Sequence, residues 1–115
     1  MVRKYNEPHF IMPGGKIEKG ETSELTLRRE LKEELNLNLV SMKFFATQEA
    51  LHFQDKNKIV RMEMYFAGIE GEPKATSEIN EIAWIDSSYK KKGIKLASIN
   101  EDFTIPELRK RGLID

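Results

Sequence analysis

The sequence predicts an α/β fold, a sheet with helices packed against it, and three observations carry that prediction. Ser23 to Leu35 places Leu27, Leu31 and Leu35 at i, i+4 and i+8 with no Gly or Pro, the spacing of one buried helix face. Two runs rich in Phe, Val, Ile, Tyr and Met follow it, Leu37 to Phe53 and Ile59 to Ile69, and read as a long antiparallel pair around the polar loop 54–58. The tail returns to helix signals, so strands stand before and after a central helix and a helix closes the chain.

In chain order, Met1 to Lys4 and His9 to Met12 flank the turn-like Tyr5-Asn6-Glu7-Pro8 and read as the ends of a small hairpin or meander. Pro13-Gly14-Gly15 breaks the strand. Thr22 is a good N-cap for the helix, and Asn36 stands where a left-handed residue ends one. Gly71-Glu72-Pro73 turns the chain, Glu81 to Ile85 reads as another strand, and Asp86-Ser87-Ser88 ends it. Ser98-x-x-Glu101 and Thr104-x-x-Glu107 are overlapping capping boxes around Pro106, so one kinked helix or two short ones are expected before Gly112.

Composition bounds the function. A chain of 115 residues without repeats or a linker-like stretch is expected to be a single domain, 1–115. Nineteen Lys and Arg against nineteen Asp and Glu leave no basic surplus to draw it to a nucleic-acid polymer or an anionic membrane. With no cysteine, disulfides, thiolate metal sites and a cysteine nucleophile are excluded. No apolar run has the length of a membrane span and Met-Val-Arg-Lys-Tyr lacks a signal-peptide core, so a cytoplasmic location is expected.

The chemistry sits on the helix. Arg29-Glu30-Leu31-Lys32-Glu33-Glu34 brings three carboxylates within five positions. At about 100° per residue, counting Leu25 as zero, they span roughly 80° to 180°, beside the leucine stripe at roughly 200° to 280°. Three anions crowded along a core seam repel one another unless a cation sits among them, and a hard divalent ion, Mg²⁺ or Mn²⁺, takes carboxylate oxygens and also holds phosphate. A solvated acidic helix is the plainer alternative. The glycine-punctuated loop from Gly14 to Glu21, with Lys16, feeds the helix N-terminus, where N–H groups can meet phosphate.

Gly15, five residues, Glu21, seven residues, then Arg29 to Leu37 resembles the Nudix box, G-x5-E-x7-R-E-U-x-E-E-x-G-U, with Asn36 in place of its last glycine. Phe10 to Lys16 is similar to the strand and turn that lead into the box in MutT-like members, and Glu70 to Pro73 and Glu81 to Asp86 look like the family's strands before its C-terminal helix. The resemblance implies an α/β/α sandwich around a mixed sheet and a hydrolase that cuts the pyrophosphate of a nucleoside diphosphate linked to another group. It implies that Glu33 and Glu34 bind Mg²⁺ or Mn²⁺, that Glu30 is a metal ligand or general base, and that the Gly14 carbonyl completes the metal shell. Arg29 would orient, pairing with Glu30 or Glu21, and Lys16 would neutralise phosphate. A further carboxylate comes from the loop ahead of the Trp84 strand, where Glu78 stands and Glu81 competes.

Other residues are weighed with these. Arg3 and Lys4 either contact substrate phosphate or form an ordinary solvated pair. Trp84 either stacks on a base or, as its strand setting Ile-Ala-Trp-Ile favours, anchors the core, and Phe10, Phe45 and Tyr65 are the same kind of case. His9 and His52 are isolated surface or sheet residues, and Lys90 to Lys92 a solvated turn. The family carries a strand ahead of the Arg3-Lys4 segment that has no match in this chain. A bare edge is then expected, which a homodimer partner, another segment, or chain upstream of this start would cover. Ala50 to Phe53 supplies neither the proline nor the tyrosine that marks ADP-ribose and dinucleoside polyphosphate hydrolases, which favours a nucleoside or deoxynucleoside triphosphate, or a modified nucleotide, as the small-molecule substrate. The alternative is a non-catalytic Nudix-fold module that binds a nucleotide or regulates.

Overall fold

The computed structural model describes residues 1–51 and 57–115. Within them run β1 (Val2–Lys4), α1 (Ser23–Leu35), β2 (Asn38–Leu51), β3 (Ile59–Glu70), β4 (Ile79–Ile82), a π-helical turn (Asn100–Thr104) and α2 (Ile105–Lys110). His52 and most of the expected loop 54–58 lie outside the described residues. Among the described residues no helix is long and apolar enough to cross a membrane.

Local chemistry sets both ends of α1. Thr22 is extended, and its Oγ1 accepts the N–H of Leu25 at 3.2 Å, which satisfies one otherwise orphaned donor. Asn36 is left-handed, φ 55° and ψ 38°, and its N–H turns back to the carbonyls of Leu31 and Lys32. The segment after β3 caps three more carbonyls: Lys74 N–H donates to Leu35, Thr76 N–H to Glu34, and the Thr76 hydroxyl to Glu33. The helix C-terminus is thereby tied to the chain that leads into β4.

The leucine stripe enters a core cluster of Val2, Leu31, Leu35, Leu37, Leu39 and Ile79, with Leu27 packed against it. Each fully buried leucine contributes about 1.5–3 kcal/mol. A second cluster joins Phe10, Tyr89, Leu96 and Ile105. Period-two alternation sends Val2 into the first cluster and Met1 into the second, so both faces of the short β1–β4 ladder are covered.

β2 and β3 pair antiparallel from Asn38↔Glu70 to Leu51↔Ile59, as expected. The register slips once past Leu39 and once past Phe44, which leaves Val40 and Phe45 as additional residues on β2. Phe45 is buried against Phe66 and Phe103, with ring centroids 5.0 and 6.2 Å away. β1 pairs antiparallel with β4, and Val2 exchanges 2.8 Å hydrogen bonds with Ile11, the expected meander. The α/β class stands, but the described pairings form two antiparallel ladders, and parallel pairing is confined to the bridge Phe10↔Leu96. Three-residue β1 spends one side on β4 and the other on Ile11, so it has no side left for the long hairpin.

Three expectations need correction. The strand read as Glu81 to Ile85 is Ile79–Ile82. Trp84 is no core anchor: it is 79% exposed. Ala83 and Ile85 on either side of it pack into the second cluster, so alternation turns Trp84 the other way, past Ile82, where the first cluster ends. The capping boxes do not form, because the tail is already helical at residues 98 and 99 and continues through the π-turn into α2. Pro106 has no N–H to donate, and the wider turn before it is closed by Ile105 N–H onto the Asn100 carbonyl.

The left-handed cap gives a direct test. Asn36→Ala is expected to lower the unfolding free energy by about 1 kcal/mol and Asn36→Gly to leave it unchanged or raise it, as read by urea denaturation. Equal stability of the alanine variant and the parent would show that the cap conformation is not what ends α1.

Candidate functional site

The loop from Gly14 to Glu21 lies against α1 through one guanidinium. Arg29 Nε and Nη2 donate side-on to the two oxygens of Glu21 at 2.8 and 2.9 Å, and Nη1 donates to Glu30 at 2.7 Å. Nη2 also reaches the Lys16 carbonyl at 3.3 Å, and Nη1 lies 3.5 Å from Glu33. Glu21 further accepts the Glu18 N–H and the Thr26 hydroxyl. The Arg29 hydrogen bonds, helped by those two, hold the Glu21 carboxyl at about 2, and Glu21 in turn raises Arg29 above its ordinary value.

Two glycines make room for this. Gly14 has φ +143°, a conformation other residues rarely adopt, and its N–H donates to Glu34 Oε1 at 2.8 Å. At Gly15 the requirement is space: a Cβ there would lie 2.5 Å from Glu30 Oε1. The Glu30 carboxylate therefore occupies the volume that a side chain at position 15 would need.

Glu34 is the anomalous carboxylate. It is 2% exposed, and its Oε2 is buried with no hydrogen-bond partner among the described residues. Burial pushes its carboxyl up to about 7, the Gly14 N–H opposes that rise, and the charges of Glu30 and Glu78 add to it. Lys4 acts in the opposite sense on Glu34 and pairs with Glu78 at 3.1 Å. Glu78 is delivered by a left-handed Ser77, φ 55°, in a turn closed by Ile79 N–H onto Thr76 O.

The structure thus brings Glu30, Glu34 and Glu78 into one electrostatic neighbourhood. Glu33 stays more than half exposed at its rim, and Lys16 is exposed on the loop. Glu81 does not join them. It pairs with Arg3 at 3.1 Å on the opposite face of β1, where Arg3 also donates to the Glu7 carbonyl. Lys4, not Arg3, is the β1 cation that faces the carboxylates. Alternation from the buried Val2 is the sequence signal that identifies it. The hold of residues 74–76 on the helix end has no such signal, since it depends on a contact between distant segments.

The donors at this site are all oxygens, the set that Mg²⁺ and Mn²⁺ prefer, and the orphaned Glu34 Oε2 is an acceptor in want of a cation. Among the described residues, however, no three carboxylate or imidazole groups are gathered closely enough to hold a metal ion as they stand. Glu30 is drawn toward Arg29 and Glu33 toward solvent, so a shared ligand set requires their side chains to turn.

A family profile described as the NUDIX domain matches residues 1–89. The chain is also 31% identical over 70 residues to YtkD of Bacillus subtilis (strain 168), provisionally named an 8-oxo-dGTP diphosphatase. That match covers 61% of this chain and 42% of the relative, so the chain spans less than half the length of the curated protein it resembles.

The clamp has a pH signature. The Glu21 carboxyl titrates at about 2 when folded against an ordinary 4.5, so its stabilisation is complete above pH 4.5 and is lost as pH falls through about 2. The difference in unfolding free energy between the parent and Glu21→Gln is expected to shrink steadily over that window in urea titrations. A difference independent of pH would remove the Arg29–Glu21 pair as its cause.

Proposed function

Because the chain belongs to the NUDIX domain family, we propose that it is a divalent-metal-dependent pyrophosphohydrolase that cleaves a nucleoside diphosphate linked to another group. The single observation that carries this reading is the buried Glu34 oxygen, which has no hydrogen-bond partner among the described residues and lies beside Glu30 and Glu78. Glu30, Glu33 and Glu34, with the Gly14 carbonyl, would hold Mg²⁺ or Mn²⁺ once the Glu30 and Glu33 side chains turn from Arg29 and solvent. When bound, the metal supplies positive charge that neutralises the phosphate bridge and makes water a better nucleophile.

The protein's own groups do the rest. Glu30, or Glu78 in its place, takes the proton from the attacking water. Arg29 does not react; it fixes Glu30 and the loop. Lys16 on the loop and Lys4, which pairs with Glu78, would neutralise phosphate oxygens, while Arg3 pairs with Glu81 on the other face of β1. A (deoxy)nucleoside triphosphate or a modified nucleotide is the proposed substrate, supported by the name of the Bacillus relative.

A release assay over deoxynucleoside and nucleoside triphosphates, oxidised nucleotides, ADP-ribose, nucleotide sugars and dinucleoside polyphosphates, with Mg²⁺ and with Mn²⁺, tests this. Turnover that needs the metal is expected, falling at least about a hundredfold in Glu33→Gln and in Glu34→Gln, with less than about 1 kcal/mol change in unfolding free energy. Undiminished metal-dependent turnover in both variants would refute the assignment, and tight nucleotide binding without turnover would favour the non-catalytic module.

A further inference from the structure

β3 is twelve residues long, and among the described residues its backbone hydrogen-bonds only to β2. Its far edge is a row of unpaired N–H and C=O groups, which folded proteins ordinarily blunt with lysine, proline or a bulge. None of these is present: the sequence IVRMEMYFAGIE has no lysine or proline, and both bulges of the hairpin are on β2. β2, by contrast, carries Lys43 and both bulges, and its Leu39 carbonyl accepts from Arg28 at 2.8 Å. Among the described residues, β3 is the long strand whose edge is left regular and undefended.

The side chains on that strand fit a second copy of themselves. Ile59, Arg61, Glu63, Tyr65 and Ala67 share one face, with Ile59 69% exposed and Arg61, Glu63 and Ala67 exposed as well, the Glu63 carboxylate accepting from the Tyr65 and Ser23 hydroxyls. An antiparallel partner related by a two-fold axis through Met62 sets Arg61 opposite the partner's Glu63, twice, and Ile59 opposite the partner's Tyr65, twice. An axis through Arg61 or Glu63 would oppose like charges. An axis through Met64 or Tyr65 would set Arg61 against Ala67 or Ile69. Cross-strand pairs of opposite charge are favourable and like pairs are not, so charge selects the register. We propose that the free edge of β3 is a homodimer interface, in which two chains join antiparallel about Met62 into a four-stranded sheet β2-β3-β3-β2 with isologous Arg61–Glu63 pairs.

The chain has no cysteine, so single thiols report the register cleanly. Met62→Cys meets its own copy at a Cα separation of about 4.5–5.5 Å, within the roughly 4.4–6.8 Å that a disulfide spans. Val60→Cys is four residues out of step with its copy, about 13 Å away. Sedimentation of the whole protein at about 100 μM, where even a weak contact is populated, is expected to show a dimer. Mild oxidation is expected to cross-link Met62→Cys and not Val60→Cys, and Arg61→Gln to weaken association about fivefold. A monomer at that concentration, cross-linking at Val60→Cys as fast as at Met62→Cys, or unchanged association of Arg61→Gln would each overturn the interface.

Discussion

One guanidinium organises the acidic half of this molecule. Arg29 is held in a ring of acceptors, with Glu21 side-on, Glu30 at 2.7 Å, the Lys16 carbonyl and Glu33 at the rim. Without that cation Glu21 on the loop and Glu30 and Glu33 on the helix would face one another as like charges. With it, the loop is fastened to α1 along one line, and the two glycines at its start are pressed against Glu30 and Glu34. The arrangement also divides the carboxylates by environment: hydrogen bonds from Arg29 hold Glu21 at about 2, whereas burial pushes Glu34 up to about 7.

The far end of α1 shows how the site is coupled to the rest of the fold. Residues 74–76 satisfy the carbonyls of Glu33, Glu34 and Leu35. That anchoring fixes where the chain re-enters toward β4, and the left-handed Ser77 then delivers Glu78 to Lys4. The helix-capping contacts and the electrostatic neighbourhood of Glu34 are thus one construction, with backbone hydrogen bonds setting the position of the charged side chains around it.

What the sequence makes legible is what is local. The α1 caps at Thr22 and Asn36, the leucine stripe and the pairing of β2 with β3 all follow from spacing within a few residues or along one hairpin, and the Arg29 partners from the resemblance to the Nudix box. Where reading fails, a distant contact decides. Trp84 has the composition of a core strand, but Ile79, six residues after Pro73, is what the first cluster buries, and Trp84 lies beyond its edge. Ser98 and Thr104 look like caps, but Ser98 is already the first helical residue and the π-turn makes Thr104 an interior one. Arg3 and Lys4 are equivalent as letters; alternation puts Lys4 on the face of Val2, and the pairing of β1 with Ile11 and β4 makes that the face toward the carboxylates.

The central physical claim is that the partnerless oxygen of Glu34 exists to meet a divalent cation. Anomalous scattering from crystals grown with MnCl₂ addresses it without reference to any substrate. A manganese peak within about 2.0–2.6 Å of Glu34 Oε2, with Glu30 or Glu33 turned from its Arg29 contact to share the ion, is the expected result. Manganese bound only elsewhere, with Glu34 still closed in and bonded to Gly14 alone, would contradict it.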